Sequence, residues 1–258
     1  VPKTVYPQSL DFSVKGLSFP LLIKGKHGLS FYKAVGKKGI IVHNKVELQK
    51  VLKKLTRVFD FQYIMVQEII PSDGSNPTVS FTAFCIGGEI MTYWMGAKLR
   101  EHPIRFGTAT FCESVFEQTC LNYSIPLLQA LNYTGVCEIE YLFDPRDGQF
   151  KLIEINARTW LWVGLAAACG VNYPLYVYNY DNDLPSIYPS SYPVGVRWRN
   201  FWTDTIFSMQ AILTGKLGFS DYLKSLNGNK LIDAVRDKND PKPFWIMTLS
   251  LLKLFLQR

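Results

Sequence analysis

Alternating apolar and polar residues between Gly135 and Arg158 predict two β-strands joined by a tight turn. The strands are expected at Val136 to Phe143 and at Phe150 to Ile155, because both stretches are rich in β-branched and aromatic residues. Between them, Asp144 to Gly148 reads DPRDG, a sequence typical of a turn. The segment is therefore predicted to form a β-hairpin.

This hairpin brings acidic side chains together on one face. Because successive side chains of a strand point to opposite faces, Glu138 and Glu140 share a face. If the hairpin closes so that Leu142 faces Leu152, Glu140 faces Glu154. In the same register Glu138 faces Asn156. Facing side chains lie about 5 Å apart, so two carboxylates there repel unless a cation lies between them or one is protonated. Oxygen ligands suit magnesium, and the alternative is an exposed face with solvated acids.

The first half of the chain is predicted to contain further strands and one clear helix. Phe19 to Lys24 and Ser30 to Val35 are expected to be strands, with a glycine turn between them. Asn44 to Phe59 has an apolar stripe at helical spacing, with Asn44 as its cap and Glu47 three residues later. Phe61 to Ile70 is expected to be a buried strand. Thr78 to Ile86 and Glu89 to Ala97 are expected to form a hairpin across two glycines.

The second half is predicted to end in helices. Pro126 is expected to break or kink a helix that resumes at Leu127, and Trp160 to Cys169 is expected to be helical. The last helix, Phe244 to Leu256, is very apolar and too short to span a bilayer. It is expected to pack on the body of the protein, to cover a neighbouring domain, or to lie in a membrane interface.

Composition narrows the class of protein. The chain has 258 residues, of which 48% are hydrophobic, enough for one large domain or two lobes. Its five cysteines contain no CxxC pair, which favours free thiols in a reducing, cytoplasmic compartment. The three histidines are too dispersed for a zinc site, and neither a signal peptide nor a bilayer-spanning apolar run is recognised.

The charge of the chain is uneven. Residues 1–60 carry twelve lysines and arginines against three acids, a net charge of +9, whereas the whole chain is +7 and the remainder therefore −2. A basic part joined to a slightly acidic part suits an anionic ligand on one side and a cation on the other. Nucleic-acid binding is the alternative, but the basic part lacks interleaved aromatic residues and a recognised helix motif. We therefore expect no nucleic-acid partner.

Lys24 is a candidate phosphate ligand in the basic part. It ends an apolar strand beside a glycine turn, a position from which its ammonium can point at a phosphate. The alternative is a surface lysine whose stem packs on apolar residues. The sequence contains neither GxxxxGK[ST] nor GxGxxG, so neither a P-loop nor a Rossmann fingerprint is present.

Taken in order, these features resemble the ATP-grasp superfamily. They are the PLLIK strand at 20–24, the VQEII strand at 66–70, and a hairpin that carries Glu140 and the EINAR run at 154–158. The strongest element is Glu140 followed, after thirteen residues, by EINAR. The resemblance covers roughly residues 1 to 180 and is nearest to the carbamoyl-phosphate-synthase-like and D-aspartate-ligase-like carboxylate–amine ligases.

The resemblance implies an α+β fold in which two α/β lobes enclose the nucleotide, with a helical carboxy-terminal extension. The small or lid lobe would be residues 1–70, the catalytic lobe 71–185 and the extension 186–258. Family members also carry an amino-terminal α/β domain. This chain starts too late to include it, so we expect a truncated enzyme or a two-lobe fragment.

The resemblance also implies the residues that contact ATP and magnesium. Glu140, Glu154 and Asn156 would be the metal ligands, with Glu154 between two magnesium ions. Lys24 would contact the phosphates. The inter-lobe hinge, where the backbone reads the adenine edge, would comprise Gln67, Glu68 and Ile70. Three polar residues remain open as ribose contacts: Asp73, Asn76 and Thr78.

Three cations complete the implied site. Arg158 would face the transferred phosphoryl group or the acyl phosphate, and Lys98 and Arg100 would bind substrate or phosphate. The implied function is an ATP- and magnesium-dependent ligase that joins a small carboxylate to an amine, or another nucleophile, through an acyl phosphate. The alternatives are a non-catalytic nucleotide-binding or scaffold domain, and a membrane-surface partner acting through Phe244 to Leu256.

Overall fold

The chain divides into two compact units, each built around its own sheet. The computed structural model describes residues 1–10, 12–71, 76–102, 107–227 and 230–256, with side chains up to residue 251. The first unit comprises Val1–Asn76 and Asp144–Ile153, and the second comprises Pro77–Phe143 and Glu154–Arg258. The lobe boundaries predicted at residues 70 and 185 remain predictions.

The first unit contains an antiparallel sheet in the order β1-β4-β2-β3, as far as its residues are described. Two helices and a short 3₁₀ turn at Phe61–Tyr63 accompany it. Its elements are β1 (Thr4–Val5), β2 (Leu21–Gly25), α1 (Gly28–Val35), β3 (Ile40–Val42), α2 (Lys45–Leu55) and β4 (Ile64–Glu68). Their apolar side chains form one core, in which Leu21, Ile23, Phe31, Leu52 and Val66 are fully buried.

Ser30 to Val35 was predicted as a strand, and this prediction is wrong because the segment lies in helix α1. Helical spacing brings Phe31 and Val35 onto one side, where both pack against the core of the unit. Phe31 lies so close to Gly25 that a Cβ on Gly25 would be 2.6 Å from the Phe31 Cβ. Such a short apolar run fits either period, and in the helix Phe31 is buried in the core of the unit.

Helix α2 begins as predicted. The Asn44 side chain accepts a hydrogen bond of 2.9 Å from the Glu47 N–H, and the Glu47 carboxylate accepts one of 2.8 Å from the His43 N–H. These reciprocal bonds satisfy backbone donors at the helix start. Leu48 and Leu52 are buried on the inner side, which confirms the predicted apolar stripe.

The second unit is built on a sheet in the order β11-β10-β7-β6-β5-β8-β9 within the described residues. The predicted hairpin across Gly87 and Gly88 is confirmed, with both glycines at positive φ, as a primed turn requires. The strands are β5 (Thr78–Ile86), β6 (Glu89–His102), β7 (Thr108–Ser114), β8 (Gly135–Asp144), β9 (Gln149–Asn156), β10 (Val196–Arg199) and β11 (Lys230–Asp233).

Helix α3 (Gln118–Ala130) packs on β5 and β6. The break predicted at Pro126 is wrong, because the helix continues through this residue. Cys120, Ser124 and Leu128, spaced by four residues, are buried, and the Ser124 hydroxyl hydrogen-bonds the Tyr141 hydroxyl at 2.9 Å. Burial of this face outweighs the loss of one backbone hydrogen bond.

Aromatic side chains cover part of the sheet near Gly96. Trp94, Trp160 and Trp162 lie in one buried cluster, with ring centroids 5.4–6.3 Å apart. The helix predicted from Trp160 to Cys169 is therefore shorter, since α4 spans Val163–Ala168 and the tryptophans before it pack on Trp94. Helix α5 (Tyr173–Asp181) follows. Its Tyr173 hydroxyl hydrogen-bonds the Thr82 hydroxyl at 2.9 Å.

Helices α6 (Phe201–Leu213), α7 (Phe219–Leu226) and α8 (Lys242–Leu256) complete the second unit. Phe244 of α8 stacks on Trp202 of α6, so this end of α8 packs on the body of the unit. Trp245, Ile246 and Leu249 of the same helix are exposed. Among the described residues, no helix is both long and apolar enough to cross a membrane. Contact of Phe244 to Leu256 with a membrane surface or a further domain stays a prediction.

Candidate active site

The predicted β8–β9 hairpin is present, and its acidic residues lie beside polar residues of the neighbouring strands. In the antiparallel pairing of β5 with β8, Ser80 lies opposite Glu140 and Thr82 opposite Glu138. Side chains two residues apart on a strand point to the same face, so the two glutamates share the face of Ser80. Lys98 of β6 reaches this face as well. The polar cluster defined by Lys98, Ser80, Glu138, Glu140 and Asn156 belongs wholly to the second unit.

Lys98 and Glu140 form an ion pair in this cluster. The Lys98 Nζ lies 2.7 Å from Glu140 Oε1, and the two side chains are only 11% and 15% exposed. Burial disfavours the charged lysine, but the charge and hydrogen bond of Glu140 and the charge of Glu138 outweigh it, and the pKa of Lys98 is raised. The lysine ammonium therefore supplies positive charge to the carboxylates of β8.

Glu138 is the most buried carboxylate of the cluster, at 2% exposure. Its Oε1 accepts a hydrogen bond of 2.9 Å from the Ser80 hydroxyl, and its Oε2 accepts one of 3.2 Å from the Asn156 amide. Burial, and next the nearby charge of Glu140, raise the pKa of Glu138 to about 7. Glu138 was not among the metal ligands predicted from the sequence. In the predicted register Glu138 faces Asn156, and this was the sequence signal that Glu138 has a hydrogen-bond partner.

Asn156 connects Glu138 to Arg158. Its Nδ2 donates to Glu138, and its Oδ1 accepts a hydrogen bond of 3.2 Å from the Arg158 guanidinium. Arg158 also donates to the backbone carbonyl of Thr159 at 3.0 Å and is exposed. Two residues further on, Trp160 is buried in the aromatic cluster, which anchors the chain that carries Arg158.

Glu154, the third predicted metal ligand, lies on β9 and is exposed. Within the described residues, no group of three or more His, Cys, Asp or Glu side chains could hold a metal ion. Glu140 and Asn156 nevertheless offer oxygen donors of the kind that magnesium prefers. A cation, the Lys98 ammonium, already lies against Glu140. The donor chemistry and the charge of this face therefore fit a magnesium ion, and the assignment of Glu140, Glu154 and Asn156 stays a prediction.

Arg100, predicted to bind substrate or phosphate, lies in a different cluster. Its guanidinium makes two hydrogen bonds, of 2.7 and 2.8 Å, to the fully buried carboxylate of Asp204 on α6. A third bond of 2.7 Å reaches the Ser225 hydroxyl of α7, and the guanidinium packs over the ring of Phe111 at 4.0 Å. In this structure Arg100 joins β6 to helices α6 and α7.

The predicted nucleotide-binding residues lie in the first unit. Lys24 is half-buried on β2, opposite Met65 of β4. Gln67 of β4 donates a hydrogen bond of 2.8 Å to the Thr4 hydroxyl, and the buried Ile70 follows the strand. Of the three residues left open as ribose contacts, Asp73 lies outside the described residues.

Glu68 is held firmly at the end of β4. Its carboxylate accepts hydrogen bonds of 2.7 Å from the Lys3 N–H and 2.9 Å from the Arg146 guanidinium. Arg146 in turn pairs with the buried Asp144, its nitrogens lying 2.6 and 2.8 Å from the two carboxylate oxygens. The Arg146 hydrogen bond holds the pKa of Asp144 below its ordinary value of 3.8. These bonds fix the backbone beside the segment expected to read adenine.

Comparison with known proteins adds independent evidence. Residues 105–173 match the family described as carbamoyl-phosphate synthase L chain, ATP binding domain. This segment contains the β8–β9 hairpin with Glu140, Glu154, Asn156 and Arg158. The chain is also 25% identical over 145 residues to a D-aspartate ligase of Enterococcus faecium (strain Aus0004), an alignment that covers 54% of this chain and 34% of that protein. The chain thus spans about a third of this curated relative.

Solved structures of low sequence identity share the fold. Rhizobium etli pyruvate carboxylase matches with a TM-score of 0.55 and 15% identity, over 76% of this chain and 18% of its own. The biotin carboxylase domain of the Hydrogenobacter thermophilus 2-oxoglutarate carboxylase, solved with MgADP, ADP and bicarbonate, matches with a TM-score of 0.52 and 12% identity. That match covers 71% of this chain and 41% of the other. The solved structures show that the chain has the ATP-grasp fold, and the sequence matches show its similarity to proteins of the ATP-grasp superfamily.

Proposed function

We propose that this chain carries the catalytic machinery of an ATP- and magnesium-dependent ligase that joins a carboxylate to an amine or another nucleophile. The observation that carries the proposal is the polar cluster on β5, β6, β8 and β9. It combines the oxygen donors Glu140 and Asn156 with the cations Lys98 and Arg158. All of these except Lys98 lie in the segment that matches the ATP-binding family. Carboxylate and amide oxygens next to cations suit a metal-bound phosphate.

The proposed reaction has two steps. An oxygen of the carboxylate substrate attacks the γ-phosphorus of ATP, the bond to the β-phosphate oxygen breaks, and an acyl phosphate and ADP result. The amine nitrogen then attacks the acyl carbon, and inorganic phosphate leaves. In both steps the protein mainly positions the reactants and neutralises negative charge.

The predicted metal ligands and most of the predicted cations have a role in this scheme. Glu140, Glu154 and Asn156 would hold magnesium, which when bound neutralises phosphate oxygens. Arg158 is exposed beside Asn156, and its guanidinium can bind the transferred phosphoryl group. Lys98 pairs with Glu140 and orients its carboxylate. In the first unit, Lys24 would donate to phosphate oxygens, and the backbone after Glu68 would bind the adenine edge.

The nature of the acid and the amine is a separate part of the proposal. One relative is named a D-aspartate ligase, and an amino-acid carboxylate is therefore the first substrate class to test. The alignment covers 34% of that protein, so the identity of the acid and of the amine is proposed only as a class.

Calorimetric titration with magnesium-ATP, followed by phosphate-release assays with pairs of carboxylates and amines, tests the proposal. D-aspartate and other amino acids are the first acids to include. Nucleotide binding together with amine-dependent phosphate release supports the ligase. Binding without release under any pair favours the non-catalytic nucleotide-binding or scaffold domain.

Variants of the metal ligands make the test specific. Glu154→Ala and Asn156→Ala are expected to abolish magnesium-dependent ATP turnover while the far-UV circular dichroism stays close to that of the wild type. Glu89→Ala is a matched control, because Glu89 is an exposed acid at the start of β6. Turnover that persists in either alanine variant contradicts the metal-site assignment.

A further inference from the structure

Glu138 is an unusual acid, because its carboxylate is buried and hydrogen-bonded but has no cation in direct contact among the described residues. Its Oε1 accepts from Ser80 and its Oε2 accepts from Asn156, at 2.9 and 3.2 Å. The lysine of the cluster pairs with Glu140 instead. With both oxygens engaged and 2% of the residue exposed, Glu138 has little capacity left to bind a ligand directly.

The chemistry of a carboxylate decides how the neighbouring amide must be turned. Both Glu138 oxygens accept hydrogen bonds in this structure, as those of a carboxylate do, whereas an asparagine amide has a donor end and an acceptor end. Asn156 accordingly presents Nδ2 to Glu138, and its Oδ1 points the other way. That oxygen accepts the hydrogen bond from the exposed Arg158. The free lone pair of Oδ1 thus lies on the Arg158 side of the amide.

Oδ1 is also the atom of an asparagine that can bind a hard cation, because the amide nitrogen has no available lone pair. A rotation of the Asn156 amide by half a turn would place Nδ2 at the position from which Oδ1 would bind the cation. Such a rotation would also leave the buried Glu138 carboxylate facing an oxygen, which is unfavourable. Residues that hydrogen-bond to metal ligands commonly fix ligand orientation in this way.

We propose that Glu138 is a positioning residue that locks the Asn156 amide with Oδ1 directed toward Arg158 and the cation site. This inference rests on the proposed function, because Asn156 is a metal ligand only in that proposal. Ser80 supports Glu138 in turn, because its hydroxyl donates a hydrogen bond to Glu138 Oε1 and fixes the carboxylate. The hydrogen-bonded series is Ser80, Glu138, Asn156 and Arg158.

The test measures metal affinity rather than turnover, with Mn²⁺ in the presence of ADP as the probe and electron paramagnetic resonance as the readout. Glu138→Gln keeps the shape of the side chain, but its amide can donate to Asn156 Oδ1 and engage the oxygen. We expect this variant to bind Mn²⁺ roughly 10- to 100-fold more weakly than the wild type, with an unchanged far-UV spectrum. Affinity equal to the wild type would overturn the positioning role.

A double-mutant cycle separates orientation from a general structural effect. Asn156→Asp puts a second carboxylate against Glu138, and at a pH well above the Glu138 pKa of about 7 the two repel at the present distance of 3.2 Å. In this background Glu138→Gln is expected to strengthen Mn²⁺ binding, because the glutamine amide donates to the new carboxylate. The effect of Glu138→Gln thus changes sign between the two backgrounds. Weakening in both backgrounds would show a merely structural role and overturn the inference.

The remaining outcomes are also decisive. If Glu138→Gln does not fold, Ser80→Ala takes its place, because it loosens the same carboxylate without touching Asn156. Weaker Mn²⁺ binding by a folded Ser80→Ala supports the inference, and unchanged binding overturns it. If the wild type itself binds no Mn²⁺ with ADP, the proposed function fails and the inference falls with it. If the wild type and the variants bind Mn²⁺ equally well, the positioning role is overturned but the proposed function is not.

Discussion

The ammonium of Lys98 lies 2.7 Å from Oε1 of Glu140. Among the described residues, this ammonium is the cation that pairs with a glutamate on the acidic face of β8. Both side chains are largely buried, and Glu138 lies on the same face. The pair therefore compensates negative charge at the place where the proposed magnesium ion would bind. Removing the lysine should make the fold depend on another cation.

Lys98→Met is expected to lower the free energy of unfolding by about 2–4 kcal/mol, because it leaves a mostly buried carboxylate without its partner. Magnesium should then raise the Tm of the variant more than that of the wild type. Urea unfolding with and without Mg²⁺ measures both effects. Lys151→Met is the control, since its partner Asp147 is half exposed and a loss below about 1 kcal/mol is expected. Equal losses in the two variants would contradict the prediction.

Arg100→Met is expected to destabilise the second unit by about 3–5 kcal/mol, because it strands the fully buried carboxylate of Asp204. Arg100→Lys should recover only part of this loss, since an ammonium cannot make the two parallel bonds. Chemical denaturation gives the values. Arg158→Met, which removes an exposed guanidinium, should leave stability nearly unchanged and abolish turnover. Loss of turnover without loss of stability in Arg100→Met would support its predicted substrate-binding role.

Gly96→Ala is expected to cost about 1–3 kcal/mol through overpacking. The new Cβ would lie 2.3 Å from a ring carbon of Trp94 and 2.4 Å from one of Trp162, so the aromatic cluster must shift. Thermal unfolding and the near-ultraviolet circular dichroism of the tryptophans detect the change. In Gly164→Ala the added Cβ meets nothing within 4 Å in helix α4, and a gain of about 0.4–1 kcal/mol is expected. A neutral Gly96→Ala would show that the cluster is loosely packed.

Asp144 should make the stability of the protein depend on pH in the acid range. Its pKa in the folded protein is lowered by Arg146, so the unfolded chain binds the proton more readily. The stabilisation is therefore complete above the ordinary value of 3.8 and is lost as pH falls through the folded pKa. Asp144→Asn should flatten this part of the curve of unfolding free energy against pH. The exposed Asp181→Asn should leave the slope as it is, and an identical slope in the two variants would refute the assignment.

Local patterns in the sequence were sufficient for several elements. The β8–β9 and β5–β6 hairpins and helix α2 are confirmed, because alternation, glycine turns and the Asn44 cap act between residues close in the chain. The similarity to the ATP-grasp superfamily was also predictable, because the EINAR run and its spacing from Glu140 lie in one continuous segment. Where the local pattern was short or ambiguous, as at Ser30 to Val35, the prediction was wrong.

The sequence by itself determined which residues carry oxygen donors and cations, and which faces of the strands they occupy. Only the tertiary structure decided their partners. Asp204 lies 104 residues beyond Arg100, and Ser80 lies 58 residues before Glu138. No local pattern pairs such distant groups, because burial and hydrogen-bond satisfaction are set by the packed sheet. The same reason explains why Glu138, a mere neighbour in the sequence, is the buried centre of the polar cluster in the fold.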